Sequence, residues 1–148
     1  MIRVGRTALI LRGYDQASTL KDNELQAGEM LITKPDVGNS HDSHAVMVEN
    51  KRGSFLGRVA KEQAQGCYRM LQQIKSLGIQ HKANFNFLAT EQHRYFQSTS
   101  VHIEVNYFVD ENVDGHFYDN KMKELEDLTK QCRLPFVSNK RDSLPGDM

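Results

Sequence analysis

The chain has 148 residues, 39% hydrophobic and 26% charged, close to the averages of globular domains and far from disordered or collagen-like compositions. That length suits a single soluble domain able to bury a core without disulfide or metal staples. Its nineteen basic and nineteen acidic residues cancel, which argues against a protein that coats duplex DNA through bulk charge but leaves room for a local basic face.

Three short apolar runs, residues 7–12, 28–33 and 44–49, are each bounded by turn-forming residues and predict strands. Residues 50–53 form a compact turn joining the third run to residues 54–59, which predicts a β-hairpin, and Gly57 within its second arm marks a bulge or a close backbone approach. From Ala60 the period changes. Ala60, Ala64, Cys67, Leu71, Ile74 and Leu77 recur at three- and four-residue intervals and predict a helix with one apolar stripe, ended by Gly78.

Residues 83–89 and 100–107 alternate apolar with polar, as half-buried strands do, so a second hairpin is expected with residues 90–99 as a long loop. Asp119 is the expected cap of a last helix lined by Met122, Leu125, Leu128 and Cys132 and ended by Pro135. The fold expected is mainly β with two helices, a small barrel of the OB or SH3 type, over residues 1–137. Residues 138–148 are expected to form a flexible polar tail.

Cys67 and Cys132 are far apart and outside any CxxC pair, so they are expected as buried thiols and not as a disulfide framework or a zinc knuckle. No apolar run approaches the roughly 18 residues of a membrane helix, and no secretory leader is expected, which makes an intracellular compartment the default. There is no P-loop, GxGxxG, HExxH or GxSxG, so no common enzyme and no cofactor are indicated. His41 and His44 flank Asp42 at a spacing that could serve a metal-dependent hydrolase. Residues three apart on a strand face opposite sides, however, and the sequence places no third ligand.

The most informative stretch reads Asn39-Ser40-His41-Asp42-Ser43-His44-Ala45-Val46-Met47-Val48, followed by Gly53-Ser54-Phe55-Leu56-Gly57-Arg58-Val59. It resembles the HIRAN domain, whose hallmark is Asn-Pro-x-Asp-x-x-Ala-hydrophobic-x-Val, then Gly-x-x-hydrophobic-Gly and a helix start. Leu11-Arg12-Gly13-Tyr14 stands where that family carries a basic and aromatic cluster, and Lys61-Glu62 stands at the helix start. The resemblance spans residues 5–136.

The resemblance implies a non-enzymatic module that grips the 3′ end of single-stranded DNA, as in HIRAN domains attached to fork-remodelling helicases and ubiquitin ligases. It further implies a nuclear setting, a larger helicase or repair complex as context, and no membrane. The implied site comprises Arg12, Tyr14, Asn39, His41, Asp42, Arg58 and Lys61, with Phe96 or its neighbour Tyr95 as a second stacking residue. Tyr14 would stack on a base, Arg12, Arg58 and Lys61 would neutralise phosphates, and Asp42 would accept a hydrogen bond from the terminal 3′ hydroxyl.

Each of these residues also has a plainer role open to it. Tyr14 could cover the barrel end, Asn39 and Asp42 could cap turns, and Arg58 and Lys61 could be solvated charges. The chain departs from the hallmark at Ser40, which replaces a proline, at His41, which stands where an aromatic is common, and at Gly13, which replaces one aromatic. The last change removes a platform worth about 1–3 kcal/mol per stacked base. The competing function is a protein-interaction module on the same barrel with a degenerate pocket, its partner held by an edge strand or by the acidic segment 110–119.

Overall fold

In the computed structural model, residues 1–13, 25–39, 41–110, 112 and 114–139 are described. Inward-pointing Leu9 and Leu11 alternate with Ala8, Ile10 and Arg12 along β1 (Ile2–Arg12), the period-2 pattern of a strand with one face in a core. β2 (Met30–Pro35), β3 (Val46–Asn50) and β4 (Phe55–Val59) follow, then α1 (Lys61–Gln73), which tightens into one 3-10 turn at Ile74–Leu77. The chain continues through β5 (Gln80–Gln92), β6 (Gln97–Val109), α2 (Gly115–Gln131) and β7 (Val137–Ser138).

All strand pairs are antiparallel, in the order β4-β3-β2-β5-β6-β1-β7, and β4 pairs back onto β1 to close a six-stranded barrel. The expected mainly-β barrel with two helices is what forms. Leu9, Leu11, Val46, Val48, Leu56, Val101 and Ile103 fill its interior. Among the described residues no helix is long and apolar enough to cross a membrane.

Gly57 behaves as its position in the hairpin predicts. Its φ is 154°, a Cβ there would lie 2.7 Å from the carbonyl oxygen of Arg12, and the β3–β4 register shifts beside it. The backbones of β1 and β4 thus approach too closely for any side chain between them. Gly66 serves a similar purpose between helices, because the carbonyl of Cys132 occupies the space a Cβ would take.

Between its contacts with β7 and β4, the outer edge of β1 is completed by a side chain. The amide of Gln63 on α1 accepts from the Ile10 N–H at 2.9 Å and donates to the Ala8 carbonyl at 3.3 Å. It stands in for a missing strand.

Four boundaries differ from expectation. β1 begins at Ile2, and β2 and β3 each start two residues later than their apolar runs. The expected loop 90–99 is mostly strand: Ala89 to Gln92 pair with Ser100 to Gln97, leaving only residues 93–96 as the turn. Those rungs carry mostly polar side chains, so their ladder leaves no apolar period in the sequence.

Asp119 is not the helix cap. Asp114 is, its Oδ1 accepting from the Phe117 N–H at 2.8 Å, and the additional turn brings Tyr118 into the core. Ser138, expected in the tail, pairs with Gly5, and the Asn139 N–H donates to the Val4 carbonyl at 2.9 Å. The Tyr118 hydroxyl reaches the Asn139 carbonyl at 2.7 Å, so these two residues are tied to the barrel. The remainder of the expected tail lies outside the described residues.

Candidate nucleic-acid interface

Closure of the barrel places Arg12, at the end of β1, directly opposite Arg58 on β4. Two like charges facing each other across antiparallel strands are destabilising unless each finds a counter-charge. Glu62 in the first turn of α1 lies 2.8 Å from Arg12, and Asp36, just past β2, lies 2.6 Å from Arg58 Nε. The Arg58 guanidinium also sits 5.0 Å above the Phe55 ring. Both arginine side chains remain about half exposed, at 48% and 52%, so solvent and a ligand can still reach them.

Asp36 links this pair to the β2–β3 connection. Its Oδ2 accepts from Asn39 Nδ2 at 3.2 Å as well as from Arg58. Asn39 Oδ1 in turn accepts from the N–H groups of His41 and Asp42 at 2.9 and 3.1 Å, and Asp42 Oδ1 accepts from the His44 N–H at 2.8 Å. These are two successive turns in which a short side chain replaces a backbone acceptor. The plainer roles of Asn39 and Asp42 are therefore both realised. Even so, no described residue bonds the second carboxylate oxygen of Asp42, which is half-buried.

The hydrogen bond from Arg58 holds the Asp36 carboxyl below the ordinary aspartate value of 3.8, helped by Asn39 and opposed by burial. The hydrogen bond from Arg12 likewise lowers Glu62. Lys61 is exposed and forms no ion pair among the described residues.

Of the eight residues predicted for the site, Arg12 and Arg58 thus face each other across the β1–β4 seam, and Asp36 ties Asn39, and through it the backbone of His41 and Asp42, to Arg58, while Lys61 opens α1 beside Glu62. Phe96 does not join them through any direct contact. It is 61% exposed at the β5–β6 turn, stacked on His93 with ring centroids 4.4 Å apart. Tyr14 lies outside the described residues.

Sequence reasoning missed Asp36, Glu62, Phe55 and Tyr68. Tyr68 touches His44 edge-on at 5.0 Å and lines a hollow with Asp36, Asn39 and Ser43. Asp36 carried a signal in Pro35-Asp36-Val37-Gly38, a turn sequence, but nothing local foretold its reach to Arg58.

His41 and His44 gather no third metal ligand among the described residues. Cys67 and Cys132 are buried free thiols, and desolvation pushes Cys67 up to about 12.

The arrangement combines half-exposed cations with a rigid turn that presents a carboxylate. The HIRAN domain family model matches residues 6–106, about two thirds of the chain, and spans every predicted site residue. This chain belongs to the HIRAN domain family.

No curated protein matches the chain in sequence. Among solved structures, the crystal structure of the human HLTF HIRAN domain is similar, with 18% identity, a TM-score of 0.58, and coverage of 88% of this chain and 91% of that one. The HLTF HIRAN domain in its DNA-bound conformation, determined by NMR, gives 16% identity, a TM-score of 0.51, and coverage of 89% and 91%. A protein from Lactobacillus plantarum gives 16% identity, a TM-score of 0.50, and coverage of 72% and 98%. At these identities the likeness concerns the fold, and this HIRAN domain shares its barrel with all three.

Proposed function

We propose that this HIRAN domain binds the 3′ end of single-stranded DNA at the seam between β1 and β4. Family membership supports DNA as the ligand class, as does the likeness to a HIRAN domain solved in a DNA-bound conformation. The observation that carries the reading is Asp42. The His44 N–H fixes its orientation through one oxygen, and no described residue takes the other.

A carboxylate repels internal phosphates but accepts a hydrogen bond from a terminal hydroxyl, which only an end possesses. Arg12, Arg58 and Lys61 then neutralise the phosphates behind that end, and Tyr14, His41 and Phe96 supply faces for bases. The role is binding, with no bond made or broken.

The test is fluorescence anisotropy with one short DNA strand labelled at its 5′ end and carrying either a 3′ hydroxyl or a 3′ phosphate. The hydroxyl strand should bind about tenfold or more tightly, the value of a hydrogen bond to a charged acceptor. Asp42→Asn should erase the difference. Three phosphate contacts predict a salt slope near about −2 for a single strand. Equal binding of both strands by the wild-type protein would sink the end-specific reading, and binding to neither would move the function to a protein partner.

A further inference from the structure

We infer that the hollow between α1 and the C-terminal end of α2 is a phosphate site, in which Arg69 and Arg133 take a backbone phosphate of the bound strand upstream of its end. This rests on the DNA-binding reading above and adds a contact outside the seam.

Gly66 lets α2 approach α1 so closely that the Cys132 carbonyl occupies the place of a Cβ. Beside that contact opens a hollow of about 380 Å³ whose walls carry Glu62, Gln65, Arg69, Gln131 and Arg133. Arg69 is half-buried, yet neither its guanidinium nor that of Arg133 forms an ion pair or a hydrogen bond among the described residues. The charge of Arg69 is felt at the end of α2, where burial raises the Cys132 thiol above 9.0 and Arg69 opposes the rise.

Arg133 is held in a strained conformation. Its φ is 56°, the one left-handed non-glycine backbone among the described residues. The Leu134 N–H donates to the Thr129 carbonyl at 3.0 Å and the Arg133 N–H to the Lys130 carbonyl at 3.1 Å, the paired bonds of a helix terminus at which glycine is the usual residue. Lys130 already places a cation in the last turn of α2, so the helix dipole gives no reason for a strained second one. Two guanidinium groups without a counter-ion, flanked by two side-chain amides, form a set of donors, and the paired oxygens of a phosphate match a guanidinium fork.

The place of the hollow identifies the source of the phosphate. Glu62 on its wall is the residue that holds Arg12 at 2.8 Å, so hollow and seam adjoin, and Arg12 offsets the one acid in the hollow. Glu62, Gln65 and Arg69 stand three and four residues apart on one face of α1. Seven residues of helix rise about 10 Å, the length of roughly three stacked nucleotides at 3.4 Å each. An acidic side chain of a protein would meet the same donors, but a strand carries charges at regular spacing and fills the seam and the hollow together.

The experiment measures the salt dependence of binding of the full chain to oligothymidylates of four and ten nucleotides, each with a free 3′ hydroxyl. The three phosphates of the tetranucleotide suffice for Arg12, Arg58 and Lys61. One further phosphate should steepen the slope for the decanucleotide by about 0.7. Arg69→Gln and Arg133→Gly should each weaken the decanucleotide about threefold or more at low salt, remove the extra slope together, and leave the tetranucleotide unchanged. Arg133→Gly also relieves the left-handed strain and should raise the melting temperature by about 2–4 °C, so its loss of affinity has no origin in misfolding. Lys130→Gln removes an equal charge one turn away and should leave both strands bound as in wild type. Millimolar inorganic phosphate, exchanged for chloride at equal ionic strength, should leave the decanucleotide bound.

If the Arg69 and Arg133 variants bind the decanucleotide as tightly as wild type, lose both strands equally, or lose no more than Lys130→Gln, the phosphate site is overturned and the seam stands. If inorganic phosphate lowers wild-type affinity to that of the double variant, the hollow holds a free anion and the strand contact is overturned. Equal binding of 3′ hydroxyl and 3′ phosphate strands, with the slope still steepened by length and flattened by the variants, supports the hollow and removes end recognition alone. Wild-type binding to neither strand brings down the hollow and the DNA-binding reading together.

Discussion

Arg12 and Arg58 stand on directly opposed residues of β1 and β4, and each is held by its own carboxylate, Glu62 and Asp36. Two cations facing each other across this seam would repel each other. The two acids turn them into a fixed pair of half-exposed charges, and Asp36 also anchors the turn that presents Asp42. Position and charge are therefore coupled at this site.

Asp36→Asn should show that coupling. The change makes the protein more basic by one charge, which by electrostatics alone strengthens DNA binding. Loss of the carboxylate also frees Arg58 and loosens Asn39. The expected result is a reduced preference for a free 3′ hydroxyl over a 3′ phosphate, with a stability loss of at most about 1 kcal/mol. Anisotropy and thermal melting read the two effects separately.

The pH dependence of this latch has a definite sign. Asp36 and Glu62 have folded values lowered by their arginine partners from 3.8 and 4.5, so their contribution is complete above those ordinary values and is lost as pH falls through the folded ones. The stability gap between wild type and Asp36→Asn should stay constant from about pH 8 to pH 5 and close only below the ordinary aspartate range. Melting curves across that series measure it.

Gln63→Leu should destabilise the domain by about 1–3 kcal/mol, because the Ile10 N–H and the Ala8 carbonyl lose their partner. Gln63→Glu keeps the acceptor for Ile10 and should lose less. Denaturant melts that place both variants within error of wild type would show that water replaces the amide at no cost.

Gly57→Ala forces a Cβ to within 2.7 Å of the Arg12 carbonyl at a φ of 154°. Opening the seam should lower stability by about 1–3 kcal/mol, the range for overpacking. It should weaken end binding as well, since Arg12 and Arg58 are positioned across that same contact. A substitution that lowers the melting temperature without touching affinity would separate the seam from the site.

Cys67 should resist alkylation in the native state. Its rise from 9.0 to about 12 leaves the thiolate about a thousandfold scarcer than in a free thiol. Labelling with iodoacetamide should proceed at a measurable rate only after denaturant is added.

The barrel, its hairpin at residues 50–53, the stripe of α1 and the turn from Asn39 to Asp42 were all legible in the sequence. Each depends on neighbours a few residues apart: a period of two or near four, a turn-forming Asn, a glycine where no side chain fits. The HIRAN resemblance drew on the same local pattern, and it named Arg12 and Arg58, which pair across the seam, and Asn39 and Asp42, which build the adjoining turn.

Tertiary structure decided the rest. Closure set Arg12 against Arg58 across 46 positions of sequence, and it let Asp36 and Glu62, which look like ordinary solvated acids, become their anchors. The polar rungs of β5 and β6 and the earlier start of α2 at Asp114 escaped detection for one reason. Hydrogen-bonded ladders and caps need no apolar residues, so polar rungs and an Asp114 cap leave no apolar period to read, even where Tyr118 and Ser100 are buried.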